Sequence, residues 1–258
     1  MLHRPRLIEF LHQHIDRRLI LISASAGYGK TTLLVDFAHD TDLPVCWYSL
    51  DEYDNDPRTF LRYLIASIQQ RFPGFGEQTE RLIRNATDVG KDVKAIVGAL
   101  VSEMYASIPE YFVIVLDDYH VVDGSKGVNE LLDLLLYYLP EHCHLIVATR
   151  TIPKIVLSRL VARRQAAGLG VDDLRFTAEE IRELMSKNYN LVLPANRAEE
   201  LAEESEGWIT GILLTTHTLW QGLFHTMIRA RESGGQVFDF LATEVFGQQA
   251  PEVQRFLL

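Results

Sequence analysis

The sequence predicts an α/β domain that is followed by an all-α helical region. Strand-like and helix-like segments alternate as far as Phe176, whereas the pattern from Thr177 onward is helical. This alternation is typical of a parallel sheet covered by helices, and a later run of helices indicates a second part of the molecule. Two further features favour this class: a glycine-rich turn joins the first strand to a helix, and a later apolar strand ends in two acids.

Composition sets limits on the function. The chain has 258 residues, of which 47% are hydrophobic and 23% charged, as in ordinary globular proteins. No apolar run is long enough to span a bilayer, and the N-terminal segment lacks the core of a signal peptide, so we expect a cytoplasmic protein without a membrane partner. The net charge of −10 argues against a nucleic-acid groove in this chain.

The glycine-rich turn covers residues 24–31 and reads ASAGYGKT. The apolar run at 19–22 predicts a buried strand before it, and an apolar-periodic helix follows it. Glycines in the turn allow successive N–H groups to converge on an anion, and the N-terminus of the next helix favours negative charge. The pattern predicts a phosphate loop for a nucleoside triphosphate, although Ala24 occupies a position that is usually glycine. The alternative is a glycine-rich connector with a surface lysine and two N-cap threonines.

Each polar residue of the loop has an expected role. Lys30 would reach the β- and γ-phosphates, and the Thr31 hydroxyl would hold Mg²⁺. The residues expected to bind the nucleotide here are Ala26, Gly27, Tyr28, Gly29, Lys30, Thr31 and Thr32.

The next elements are predicted from apolar periodicity and capping residues. A second strand is expected over 44–50, and Asp56 followed by Pro57 predicts the start of a helix that the PGFG segment at 73–76 ends. A further helix is predicted over 92–107 from its apolar face.

The segment 111–120 reads YFVIVLDDYH and is the second informative stretch. A strand buried on both faces that ends in two carboxylates is typical of the Walker B arrangement. Asp117 would hold Mg²⁺, and Asp118 would orient or deprotonate the attacking water. A strand-end turn is the alternative explanation of the pair. Asp51 and Glu52 are second-choice carboxylates for the water, with turn formation as their alternative role.

A helix over 128–139 and a buried strand over 143–148 are predicted next. Arg150 follows that strand, at the edge where open α/β sheets bind ligands, and is expected to contact the γ-phosphate. The basic run 150–164 is either a solvated face or a contact for phosphate, a neighbouring domain or another subunit. We expect the last strand over 171–176. A capping box at 177–180 then starts the helical part, whose helices are predicted at 195–206, 208–223, 236–246 and from 251.

The chain resembles the large ATP-binding transcriptional regulators of the MalT/LuxR type. These are signal-transduction ATPases with numerous domains (STAND), P-loop NTPases of the ASCE type related to NB-ARC domains. The segments that carry the resemblance are RPRL at 4–7, SASAGYGKTTLL at 23–34, WYSLDEYDNDPRTFLRYL at 47–64, VLDDYH at 115–120, LRFT at 174–177, EGWITGILL at 206–214 and LATEVFGQQAPEVQRFLL at 241–258.

The resemblance implies a five-stranded parallel sheet in which the strand before Arg150 lies between the phosphate-loop and Walker B strands. It also implies that Arg4 and Pro5 lie near the adenine and that Trp208 contacts the nucleotide from the helical region. In relatives the motif around this tryptophan is GWP-like, but Ile209 takes the proline position here.

The resemblance also implies the organisation and the activity. We expect a nucleotide-binding domain over 1–176, a helical domain over 177–246 and the start of a truncated winged-helix domain over 247–258. The implied function is an ATP/ADP switch that hydrolyses ATP slowly, self-associates in the ATP state of the full-length protein, and reaches DNA only through a domain absent from this chain. The alternatives are a faster AAA-like remodelling ATPase and the nucleotide-binding module of a defence-type STAND protein.

Overall fold

The computed structural model of the chain describes residues 2–213. In this part of the chain, five strands form one parallel sheet in the order β2-β3-β4-β1-β5. The strands are β1 (Leu19–Ser23), β2 (Val45–Ser49), β3 (Phe112–Asp117), β4 (Cys143–Thr149) and β5 (Ala166–Leu169). The predicted five-stranded parallel sheet is confirmed, and β4 lies between β1 and β3, as the resemblance implies.

Helices connect and follow the strands. Their bounds are α1 (Pro5–Gln13), α2 (Lys30–Asp40), α3 (Pro57–Gln69), α4 (Glu77–Asn85), α5 (Val89–Ser107), α6 (Lys126–Tyr138), α7 (Leu157–Ala162), α8 (Val171–Leu174), α9 (Ala178–Tyr189) and α10 (Ala195–Glu204). Short 3-10 turns cover Glu52–Asn55 and Tyr119–Val121.

Two helix starts follow the predicted capping chemistry. The Asp56 carboxylate accepts a hydrogen bond from the Thr59 N–H, and Pro57 is the first residue of α3. At α9 the Thr177 hydroxyl and the Glu180 carboxylate form the predicted capping box. Each cap satisfies backbone donors that the first helical turn leaves unpaired. The helices predicted at 236–246 and from 251, and most of the one at 208–223, lie outside the described residues.

Two predictions about elements were wrong in detail, and helix α4 was not predicted. The fifth strand is β5, and residues 171–174, predicted as strand, form the short helix α8. The reason is local: the Asp173 carboxylate accepts from the Gly170 N–H and starts a helical turn there. Helix α4 was missed, and α5 begins at Val89, because the Asp88 side chain caps it three residues before the predicted start.

The core explains why β3 and β4 are largely apolar. Every residue of both strands is buried. Helices on a parallel sheet cover its faces, so alternation of polar and apolar side chains disappears. One apolar cluster joins these strands to residues of α3, α5 and α6.

Phe60 tests this core. Its side chain is 0% exposed, and its ring centroid lies 5.5 Å from that of Tyr48. We expect Phe60→Ala to lower the free energy of unfolding by about 3–5 kcal/mol, measured by urea denaturation, because it leaves a cavity. Tyr63 on the same helix is 57% exposed, so Tyr63→Ala is the matched control and is expected to cost about 1 kcal/mol or less. Equal losses in the two variants would contradict this account of the core.

The chain divides into two compact units. The first comprises residues 3–25 and 30–174 and holds the whole sheet. The described part of the second comprises Leu2, 26–29 and 175–213, with an apolar core that includes Phe176, Ile181 and Met185. Within residues 2–213, none of the helices is both long and apolar enough to cross a membrane.

Candidate functional site

The first unit gathers polar side chains at the carboxyl edge of its sheet. In the strand register, Ser23 at the end of β1 pairs with Thr149 at the end of β4, and Ser49 of β2 pairs with Asp117 of β3. These neighbouring parallel strands therefore end at one edge. The residues that follow them in sequence are brought to the same place, which is where open α/β sheets bind ligands.

Lys30 is the first residue of α2 and is 6% exposed. Its ammonium Nζ donates to the carbonyl oxygens of Ala24 at 2.7 Å and Ser25 at 3.1 Å. Burial lowers the pKa of Lys30. The charges of Asp118 and Asp117 act to raise this pKa, and the charge of Arg150 acts to lower it further. Both predicted carboxylates and the predicted arginine therefore lie near enough to Lys30 for their charges to act on its pKa.

Asp117 ends β3 and is 2% exposed. Burial raises the pKa of this carboxyl, whereas a hydrogen bond with the Thr31 side chain acts to lower it. The Asp118 N–H also donates to Asp117 Oδ1 at 3.1 Å. A hydroxyl and a carboxylate are oxygen donors of the kind that would hold Mg²⁺, and this predicted role of Thr31 and Asp117 stays a prediction. Within residues 2–213, no cluster of three or more His, Cys, Asp or Glu side chains is arranged to hold a metal ion.

Asp118 has a left-handed backbone conformation with φ of 58° and is partly exposed. His120 lies beside it, with Nδ1 at 3.6 Å from Asp118 Oδ1, and burial together with the Arg150 charge lowers the pKa of this imidazole. Among the described residues, His120 Nδ1 and the hydroxyl of Thr149 are buried polar atoms without a hydrogen-bond partner. Buried polar atoms of this kind call for a ligand or ordered water. The sequence pattern predicted no role for His120, although this residue stands in the VLDDYH motif.

The tip of the phosphate loop belongs to the second unit. Gly27 and Gly29 have φ of 82° and 79°, the left-handed region that favours glycine. Ala24 has no positive φ, which explains why alanine is tolerated there. Trp208 Nε1 donates to the Ala26 carbonyl at 2.9 Å. The indole therefore contacts the loop backbone, and its predicted contact with the nucleotide stays a prediction.

The remaining predicted residues have varied surroundings. Arg4 is 4% exposed and donates from Nη2 to the Leu174 carbonyl at 3.0 Å, and Pro5 is the first residue of α1. Thr32 is exposed in the first turn of α2, and Tyr28 is partly exposed. Contacts of Arg4 and Pro5 with adenine stay predictions.

Asp51 takes the turn role that was its alternative. Its carboxylate accepts from the Tyr53 N–H at 2.7 Å, while its own N–H donates to Asp54 Oδ2 at 2.8 Å. These two hydrogen bonds form a capping box that stabilises the 3-10 turn beginning at Glu52. Asp51 is therefore engaged by its own turn, and the role of Asp118 toward a reacting water stays a prediction.

The chain is similar over almost its whole length to curated transcriptional regulators. It is 32% identical over 263 residues to the HTH-type transcriptional regulator MalT of Yersinia enterocolitica serotype O:8 / biotype 1B. This alignment covers 99% of this chain and 28% of that protein. It is 31% identical over 262 residues to the same-named regulator of Yersinia pestis (strain Pestoides F), with the same coverage. The predicted resemblance to MalT-type regulators is confirmed, and the chain spans 28% of the length of these relatives.

A solved structure supports the fold. The STAND protein with a tetratricopeptide repeat sensor from Pyrococcus horikoshii aligns with a TM-score of 0.55 and 18% identity over 81% of this chain and 28% of that one. The predicted P-loop ATPase fold is confirmed. No protein-family model matches the chain.

Proposed function

We propose that this chain binds ATP and ADP together with Mg²⁺ at the carboxyl edge of its sheet. The observation that carries the proposal is that strands ending at one edge of the sheet bring Asp117, Asp118 and Arg150 near the buried Lys30, whose pKa all three charges affect. A buried cation beside a pair of acids, directly after a glycine-rich turn, fits a polyphosphate and its metal.

Each side chain has a proposed role. The Lys30 ammonium would leave the loop carbonyls of Ala24 and Ser25 for the β- and γ-phosphates. Thr31 and Asp117 would hold Mg²⁺, which neutralises phosphate charge when bound. Asp118 would orient the attacking water, and Arg150 would contact the γ-phosphate. The unpartnered polar atoms of His120 and Thr149 support the fit, because a ligand or its water would supply their missing partners.

The similarity to MalT regulators supports a switch as the biological role. We propose that ADP favours a resting state, that ATP favours a self-associating state, and that slow hydrolysis resets the switch. Such a switch requires the two nucleotides to stabilise the two states differently. The proposed domain boundaries are 1–176, 177–246 and 247–258, and DNA binding would belong to another part of a longer protein.

Retained nucleotide tests the proposal directly. The purified chain is denatured, and the released small molecules are separated by ion-exchange chromatography. We expect ADP in close to stoichiometric amount, because a closed resting state would release it slowly. If no adenine nucleotide is released and titration with ADP or ATP gives no binding, the proposal is wrong.

The steady-state rate separates the switch from an AAA-like remodelling enzyme. A switch that is reset by hydrolysis is expected to turn over well below about 1 s⁻¹, the lower end of typical enzyme rates. Phosphate release from ATP, measured with a phosphate sensor, gives the rate. A turnover of several per second would favour the remodelling alternative.

A further inference from the structure

Two side chains near the start of the last described helical turn hold successive carbonyl groups of the phosphate loop. Trp208 Nε1 donates to the Ala26 carbonyl at 2.9 Å, and the Thr210 hydroxyl donates to the Gly27 carbonyl at 3.2 Å. The Thr210 N–H also donates to the Gly27 carbonyl, at 3.3 Å. All four residues belong to the second compact unit.

The packing around this contact is tight. A Cβ at Gly27 would lie 2.4 Å from Trp208 Nε1 and 2.5 Å from the Thr210 hydroxyl. In the last described helical turn, a Cβ at Gly211 would lie 2.6 Å from the indole ring of Trp208. Separations this short do not occur between real Cβ atoms and their neighbours, so only glycine fits at both positions. The indole is therefore held in one place against the loop.

These hydrogen bonds fix the direction of the loop's N–H groups. In a planar trans peptide the C=O and the N–H of the same unit point in opposite directions. The Ala26 carbonyl shares its peptide unit with the Gly27 N–H, and the Gly27 carbonyl shares its unit with the Tyr28 N–H. Since Trp208 and Thr210 hold the two carbonyls, the two N–H groups are directed to the opposite side of the loop backbone. Consecutive N–H groups of such a loop are the donors that cradle a phosphate.

We propose that Trp208 and Thr210 are positioning residues that orient the Gly27 and Tyr28 N–H groups for a polyphosphate, and that the indole recognises the loop rather than the base. This inference rests on the proposed nucleotide binding and gives it a specific expectation. Loss of the Trp208 N–H should weaken the binding of any ligand that carries the polyphosphate and should leave the binding of adenosine unchanged. By reciprocity, a bound polyphosphate strengthens the contact of the indole with the loop.

The experiment compares three ligands in the 258-residue chain. Dissociation constants for ADP, adenosine and inorganic tripolyphosphate are measured by calorimetry for the parent chain, Trp208→Phe and Thr210→Val. Trp208→Phe keeps an aromatic ring and removes the N–H, and Thr210→Val keeps the shape and removes the hydroxyl. Each variant should weaken ADP and tripolyphosphate by the same factor, about fivefold, which is the effect of one neutral hydrogen bond. Adenosine binding should not change.

Matched controls separate positioning from a general loss of structure. Trp47 Nε1 donates to the Ser49 hydroxyl at 2.9 Å in β2, so Trp47→Phe loses a comparable bond away from the loop and should leave all three affinities unchanged. Thr210→Ser keeps the hydroxyl and should restore polyphosphate affinity. In the Trp47→Phe background, saturating tripolyphosphate should change the emission of the remaining tryptophans, and Trp208→Phe should reduce that change.

The outcomes distinguish the inference from the proposed function. If the parent chain binds ADP and tripolyphosphate and the two variants bind them equally well, the inference is wrong and nucleotide binding stands. If Trp208→Phe weakens ADP and leaves tripolyphosphate unchanged, the indole contacts the base, and the inference is again wrong. If the parent chain binds neither phosphate ligand, the proposed function fails and the inference fails with it.

Discussion

Replacement of Lys30 by methionine is expected to lower the affinity for a non-hydrolysable ATP analogue by about a hundredfold or more. The Lys30 ammonium is buried and now donates to the carbonyls of Ala24 and Ser25. In the bound state these donors would pass to phosphate oxygens, and each charge-assisted hydrogen bond contributes about 1.5–3 kcal/mol. Loss of two such bonds amounts to at least about 3 kcal/mol, which is roughly a factor of a hundred and fifty.

Methionine is the informative substitution at this position because it keeps the length and packing of the lysine stem and removes only the charge. The matched control is Lys154→Met, since Lys154 is an exposed lysine of the same unit. Calorimetry gives the two dissociation constants, and thermal melting shows whether each variant is folded. A folded Lys30→Met variant that binds the analogue as tightly as the parent chain would remove Lys30 from the site.

The parts of the fold that the sequence predicted are those with a strong one-dimensional signal. Strands β1, β3 and β4 are largely apolar, as expected for strands of a parallel sheet whose faces pack against helices. The prediction misplaced strand β5 because this strand lies at the sheet edge and three of its four residues, Ala166, Ala167 and Gly168, are small. Gly168 illustrates the reason: a Cβ there would lie 3.2 Å from the Leu21 carbonyl, so close strand packing selects a residue without β-propensity.

Helix α4 was missed for a related reason. Only Thr79 and Ile83 of this short helix are buried, which is too sparse an apolar pattern to distinguish it from a loop. Its N–H groups are held from a distance in sequence, because the Glu103 carboxylate accepts from the N–H groups of Gln78 and Thr79, both at 2.8 Å. A contact of this kind is invisible in local periodicity.

The residues of the candidate site also fall into two groups, those that the sequence predicted and those that it did not. Lys30, Thr31 and Asp117 were predicted because phosphate and magnesium chemistry require those residue types at that spacing. The position of His120 next to Asp118 and the hydrogen bond of Thr210 to the loop depend on tertiary packing. No sequence pattern predicted these two contacts, although His120 and Thr210 both lie within the segments that carry the family resemblance.

Replacement of Asp118 by asparagine is expected to reduce ATP hydrolysis by about a hundredfold to ten-thousandfold and to change nucleotide affinity by less than about threefold. Positioning or deprotonation of the attacking water by a carboxylate contributes a factor of this size. Asparagine tolerates the left-handed backbone of Asp118, with φ of 58°, as well as aspartate does, so the turn after β3 should be kept. Single-turnover hydrolysis of bound ATP measures the chemical step without product release.

Asp51→Asn is the control that makes this result specific. Asparagine can accept the same hydrogen bond from the Tyr53 N–H and preserve the cap of the 3-10 turn, so the variant should keep both its fold and its rate. If Asp51→Asn loses hydrolysis and Asp118→Asn keeps it, the water-directing carboxylate is Asp51. If both variants hydrolyse bound ATP at the parent rate, neither acid acts on the water. The third pattern, loss in Asp118→Asn alone, is the one that the structure leads us to expect, because Asp51 is already engaged by its own turn.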